Sequence, residues 1–339
     1  MLYAIFGVFG AGNTLSSEVP ARFGGKSFVT PMAAAGEPTS KVSGESPRSS
    51  GGTQHSGSAA SLEAALDALD DLIGLESVKQ EVHLLAARHR LNVERSERGM
   101  ESVPVSLHLV FTGNPGTGKT TVARIVAEIY KGLGLLPKGQ LVEVQRADMI
   151  AGFVGQTALK TQAVLQSAMG GVLFIDEAYS LSNGSDQDYG QEAVATLVKM
   201  MEDHRDEVAV IAAGYSREMT QFVQSNSGLK SRFQKFIEFP DYETKELVAI
   251  FVSLAATNGI QVSEEVRAGL DNFFSLAPME LRVGNGRFAR NIFEDMYARM
   301  ALRAGADDEI TDSEIAGFVL SDIPISIDGA EPPEAPGYL

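Results

Sequence analysis

Apolar positions are sparse and aperiodic through roughly the first sixty residues, where Ser, Gly and Ala dominate; Ser49-Ser50-Gly51-Gly52-Thr53 is typical. Such composition buries too little apolar area to offset the entropy of ordering, so residues 1–58 are expected to be a disordered low-complexity segment. Helical periodicity begins at Leu62. The run Leu69-Asp70-Asp71-Leu72-Ile73-Gly74-Leu75 then leads into a helix with Val78, Val82 and Leu85 on one face. From Leu107 to Pro240, short apolar runs alternate with helical stripes. His108-Leu109-Val110-Phe111 reads as a buried strand, and Val122, Ile125, Val126 and Ile129 follow at i, i+3, i+4 and i+7. Val172 to Ile175 and Phe236 to Phe239 read as further strands. This alternation predicts an α/β domain, a mostly parallel sheet flanked by helices, over residues 59–240. After Pro240-Asp241-Tyr242 the strand signals stop. Phe251, Leu254, Leu270, Phe274 and the stretch from Arg287 to Leu302 predict helices only, hence a small helical domain over residues 241–325 and a flexible tail at 326–339. In the last of these helices Ala289, Ile292, Phe293 and Met296 form one apolar stripe, with Arg287, Arg290 and Asn291 largely off it.

The glycine-rich turn between the first strand and its helix carries the chemistry. Gly113-Asn114-Pro115-Gly116-Thr117-Gly118-Lys119-Thr120 fits G-x-x-x-x-G-K-[ST], the phosphate-binding P-loop. Its glycines let successive N–H groups converge on one anion, and the following helix sets its positive N-terminus beneath the phosphates. Lys119 can reach the β- and γ-phosphates, and the Thr120 hydroxyl, followed by Thr121, can ligate Mg²⁺. A second motif, Val172-Leu173-Phe174-Ile175-Asp176-Glu177, is an apolar strand ending in two acids. At the C-terminal edge of a parallel sheet, where ligands bind, Asp176 can hold the Mg²⁺ shell and Glu177 can activate the attacking water. Read alone, Arg232 and Arg287 are either solvated surface charges or cations for a phosphoryl transition state, and Phe153 and Val154 are either buried or displayed.

Composition narrows the partners. A formal net charge of −16 argues against a nucleic-acid partner, because phosphate backbones demand basic surfaces. The absence of cysteine excludes disulfides, thiolate zinc sites and cysteine nucleophiles, and suits a cytoplasmic compartment. Five scattered histidines give no metal-ligand spacing. No apolar stretch approaches bilayer length, so no membrane insertion is expected. The apolar start, Met1 to Gly10, is short and lacks a basic flank. Glu18, Glu37 and Glu45 with few arginines speak against a transit peptide.

With these motifs in order, the chain resembles an AAA+ ATPase. It is most similar to the branch holding the CbbX-type rubisco activases, the stage V sporulation protein K ATPases and the ATPase domain of the type VII (ESX) secretion ATPases. The resemblance runs from about Leu69 to Asp322. It rests on Gly113 to Thr120, Gly170 to Leu181, Ala213-Gly214-Tyr215, Gly228 to Phe233, Phe239-Pro240-Asp241-Tyr242 and Gly284-Asn285-Gly286-Arg287-Phe288. It implies a P-loop AAA+ module with a helical lid, a homohexameric ring with ATP and Mg²⁺ between subunits, and a protein client. Arg232 matches the arginine finger, acting on the neighbour's γ-phosphate, and Arg287 the sensor-2 arginine of the same subunit. Ile73 and Gly74 match the segment that packs on adenine, and Phe153-Val154 the pore loop. The chain departs from many members in lacking Asn at the end of the sensor-1 strand, where Tyr215 and Ser216 stand instead. It also has Phe153-Val154-Gly155 where the activases carry Tyr-Ile-Gly. Two functions compete: an ATP-driven remodeller of a protein client, or a nucleotide-gated assembly scaffold that threads nothing. A metabolic P-loop kinase fits poorly with the Asp176-Glu177 pair, the helical lid and Arg232.

Overall fold

The structure is a computed structural model that describes residues 54–103, 105–153, 155–182, 189–306 and 310–324. Residues 1–53, Val154 and the 326–339 tail lie outside the described residues.

Five strands form one sheet: β1 (Leu109–Gly113), β2 (Leu141–Val144), β3 (Val172–Ile175), β4 (Ala209–Gly214) and β5 (Lys235–Phe239). Their order is β2-β3-β4-β1-β5 and every pairing is parallel. The strand that delivers the P-loop is therefore interior, with Leu109 opposite both Ile211 and Lys235. All five strands run the same way, so the loops after β1, β3 and β4 emerge along one edge.

Both faces are covered, which explains why the inner strands read as unbroken apolar runs. Leu109, Phe111, Phe174, Ile211 and Ile237 point into one core with α1 (Gln54–Asp70), α2 (Glu76–Glu97) and α3 (Lys119–Gly132). Val110, Leu173, Ile175, Val210 and Ala212 point into the other. There they meet α4 (Arg146–Met149), α5 (Gln156–Ser167), α6 (Gly190–Asp203), α7 (Ser216–Gln224) and α8 (Ser227–Arg232). Helix α1 begins inside the stretch read as low-complexity. Its C-terminal half is anchored by Leu62, Leu66 and Leu69, and Leu62 lies so close to α3 that a Cβ on Gly132 would fall 2.7 Å from its Cα. Packing at one end thus carries the helix through Ser- and Gly-rich residues that show no period of their own.

The second region packs α9 (Thr244–Thr257), α10 (Glu264–Leu276), α11 (Met279–Arg282), α12 (Gly286–Ala304) and α13 (Asp312–Ile315) around Phe251, Leu270, Phe274, Phe288 and Met296. It is not purely helical: β6 (Gln261–Val262) pairs in parallel with β7 (Gly317–Phe318). Two-residue strands are too short to show a period of two.

His108, just before β1, is 4% exposed, and its Nδ1 accepts the Val210 N–H at 3.0 Å. Burial, against a backbone hydrogen bond at Met201 and with help from the Arg232 charge, pushes its pKa down from 6.5 to about 4. Between those values the unfolded chain takes up a proton that the folded ring refuses, so stability falls as pH drops through that window. At about pH 5 this one residue should cost about 2 kcal/mol relative to neutral pH. His108→Asn, which can still accept from Val210, should shrink the difference between the unfolding free energies read from urea melts near pH 7.5 and pH 5 by about that amount.

Candidate functional site

β1 ends at Gly113, and α3 begins at Lys119 with Gly118 as its left-handed cap at φ 91°. Between them the chain folds into a loop that only glycine permits at two points. A Cβ on Gly113 (φ 144°) would lie 2.3 Å from the Phe239 carbonyl oxygen, and one on Gly116 (φ 73°) 2.3 Å from the Gly284 carbonyl oxygen. Thr117 is fully buried, and its hydroxyl donates to the Asn114 carbonyl at 2.8 Å. Lys119 Nζ donates to the Gly113 and Asn114 carbonyls at 2.9 and 2.7 Å. Burial pushes its pKa down from 10.5 to about 8, against the pull of Asp176 and with the push of Arg287.

The buried strand β3 delivers the acid pair to the same edge. Asp176 Oδ1 accepts the Glu177 N–H at 3.1 Å, and Glu177 itself is exposed with φ 49°. Ala178 to Ser182 then turn back as a short 3-10 helix. Tyr215 follows the end of β4, its ring 6.1 Å from that of Tyr179. Burial and the Glu177 carboxylate raise the Tyr215 pKa, so its hydroxyl stays protonated at neutral pH.

These segments enclose a cavity of about 470 Å³. Its polar wall is Gly113, Pro115, Gly116, Gly118, Lys119, Thr120, Thr121, Asp176, Glu177 and Tyr215. Its apolar wall is Leu72, Ile73, Leu75, Tyr242, Ile250 and Leu254, a slot suited to a planar base, while Gly286, Arg287 and Arg290 close it from α12. Asn114 and Thr117 brace the loop from behind. Gly74 stands beside the slot with φ 61°, where a Cβ would strike the Glu246 carboxylate. Arg290, which the sequence places off the apolar stripe of its helix without a role, lies one turn on from Arg287. Sequence reasoning passed over Tyr242, Ile250 and Leu254, whose role depends on how α9 docks. Among the described residues, the non-glycine positions with positive φ are Leu75, Glu177 and Asn285, and all three flank this cavity.

Two expected site residues are elsewhere. Arg232 does not line the cavity; its guanidinium pairs with Glu202 at 2.8 Å and donates to the Gly228 carbonyl at 3.0 Å. Phe153, between α4 and α5, is 71% exposed, which removes the reading of it as a core residue. No group of acids and histidines spaced to hold a metal by itself occurs among the described residues.

Residues 109–241 match the family described as ATPase family associated with various cellular activities (AAA), and residues 243–333 match the AAA lid domain. Stage V sporulation protein K of Bacillus subtilis is 39% identical over 257 residues, spanning 75% of this chain and 80% of its own length. The chain belongs to the AAA ATPases. A further relative of this AAA ATPase, protein CbbX of Cereibacter sphaeroides, is 42% identical over 240 residues, 70% of this chain and 78% of its own. Both fall in the branch the motifs pointed to. Among solved structures, the FIGL-1 AAA domain in complex with ADP matches with a TM-score of 0.53 at 20% identity, covering 74% of this chain and 80% of that one, a likeness of fold. The protein is thus an ATPase of P-loop AAA+ architecture with a helical lid. None of its described helices is long and apolar enough to cross a membrane.

The depressed pKa of Lys119 makes nucleotide binding proton-linked. Near pH 9 the amine is mostly neutral, and a polyphosphate beside it favours the ammonium, so binding should take up close to one proton, fading below about pH 7. Calorimetric titration with ADP in two buffers of different ionisation enthalpy reads this directly. The affinity should weaken as pH rises past about 8.

Proposed function

We propose that this AAA ATPase hydrolyses ATP in a homohexameric ring and uses the cycle to remodel a protein client. The observation that carries the proposal is the content of the cavity: it gathers Lys119, Thr120, Asp176, Glu177 and Arg287, while Arg232 lies outside its lining, paired with Glu202. A site with every part in cis except the finger is what a shared, intersubunit site requires.

In this reading Gly113 to Thr121 cradle the phosphates, Lys119 sits on the β- and γ-phosphates, and Ile73 with Gly74 flanks the base. Thr120 and Asp176 both line the cavity and offer hard oxygen donors, a donor set that fits Mg²⁺. Bound there, Mg²⁺ would neutralise charge on the β- and γ-oxygens. Glu177 takes the proton of the attacking water as its oxygen bonds to the γ-phosphorus, and ADP leaves. Tyr215, a protonated phenol facing Glu177, is the polar group at the end of β4 that can hold that water. Arg287 from the lid and Arg232 from the neighbour stabilise the charge that develops.

Phe153 supports remodelling over a passive scaffold. A large apolar side chain 71% exposed on the loop between α4 and α5 is displayed for apolar contact with a client chain. Val154 belongs to the same proposed pore loop. The client is identified by chemistry only: an extended protein segment that offers apolar contacts.

Glu177→Gln should bind ATP normally and lose about two powers of ten or more in turnover. Mixed with Arg232→Ala subunits, also inactive, it should regain part of the activity, because one interface then pairs an intact Arg232 with an intact Glu177. Mixed rings with no recovery would count against the shared site. Phe153→Ala should leave basal hydrolysis and melting temperature within error while abolishing client stimulation. A parallel loss of basal turnover and stability would return Phe153 to a structural role.

A further inference from the structure

We infer that Asn285 is the positioning residue for Arg287, acting through a polar lock that ties the lid to the phosphate loop by way of Asp241. The lock joins three separate segments. Asn285 Nδ2 donates to Asp241 Oδ1 at 2.7 Å, to the Val283 carbonyl at 2.8 Å and to the Pro115 carbonyl at 3.4 Å. Its Oδ1 accepts the Tyr242 N–H at 2.8 Å. Asp241 in turn accepts from Asn114 Nδ2 through both carboxylate oxygens, at 2.9 and 3.0 Å. One residue on, the Gly286 N–H donates to the Gly116 carbonyl at 3.1 Å, so the first residue of α12 is bonded to the phosphate loop itself.

Burial and backbone both say that this asparagine is held for its side chain. It is 0% exposed, and its amide is satisfied at both ends by the protein alone. Its φ of 52° with ψ of −127° is a conformation glycine adopts readily and asparagine does not. A glycine there would relax the backbone and lose the four hydrogen bonds of the Asn285 side chain. Arg287 begins two residues later, exposed on the cavity wall, with no ion pair among the described residues to fix it. What aims it is the seat of the helix that carries it, and that seat is Asn285 on Asp241 and Gly286 on Gly116. The local contact is tight: a Cβ on Gly286 would meet the Gly116 carbonyl oxygen at 2.9 Å, so a small shift of either partner moves the other.

The positioning role rests on the reading of Arg287 as a γ-phosphate cation, and the test separates the two. Asn285→Asp keeps the acceptor for Tyr242 and replaces the donor with a second carboxylate against Asp241. The swap Asn285→Asp with Asp241→Asn restores a donor–acceptor pair. In the full chain, amide exchange over residues 283–288 should rise about tenfold in Asn285→Asp and return toward the parent in the swap. Unchanged protection overturns the lock, whatever Arg287 does. The ratio of ATP to ADP affinity should fall about tenfold in Arg287→Ala, fall comparably in Asn285→Asp, and fall no further when the two are combined. A combined loss equal to the sum overturns positioning. An effect of Asn285→Asp on the ratio with none from Arg287→Ala overturns the reading of Arg287 and with it the target of the lock, while exchange still decides whether the lock exists. If Asn285→Asp does not fold, Asp241→Asn at an exposed position carries the same pair of measurements.

Discussion

Two glycine α-carbons of the phosphate loop stand where no side-chain carbon fits. Gly113 is pressed against the carbonyl of Phe239 at the end of β5, and Gly116 against the carbonyl of Gly284 before α12. This backbone-on-backbone contact makes the loop a junction between the sheet and the lid rather than an appendage of β1. The apolar slot beside α9 and the place of Arg287 on the cavity wall go with that closeness of loop and lid. A methyl group at either glycine would separate the parts that the chemistry needs together.

The same neighbourhood holds the backbone strain. Leu75, Glu177 and Asn285 each adopt a positive φ that a side chain disfavours, at a cost of about 1 kcal/mol or more apiece. They come from three distant stretches of sequence and meet around one cavity. The well-packed cores on both faces of the sheet can support such residues, and the lid core does so for Asn285. Strain concentrated at a binding site, with relaxed geometry elsewhere, is the pattern expected when position there matters more than stability.

Much of this was legible in the chain. The P-loop announces itself because its residue types are dictated locally, by φ and by the anion, and β3 with Asp176 and Glu177 because a fully apolar strand ending in acids has few other uses. Arg287 was legible as a residue off the apolar stripe of its helix. What could not be read were features set by docking. Tyr242, Ile250 and Leu254 look like ordinary linker and core positions until α9 turns one side toward the base slot. Asp241 and Asn285 are common turn residues, and only the register of linker, loop and lid brings their side chains together. The start of α1 and the β6–β7 pair escaped for a different reason: the first borrows its order from packing further along, and the second is shorter than any period.

The strand order also sets a timetable. β1 is synthesised first, yet its partners are β4 and β5, about a hundred or more residues downstream, and the lid residues that seat its loop come later still. As the chain leaves the ribosome, Gly113 to Thr120 emerge early and remain an open glycine-rich segment with nothing to lean on. The pocket is complete only after Gly286, Arg287 and Arg290 have arrived, so a partly made chain offers nucleotide an unfinished site. ATP therefore acts as a late check on the finished molecule: by mass action it favours the fully assembled product over anything shorter.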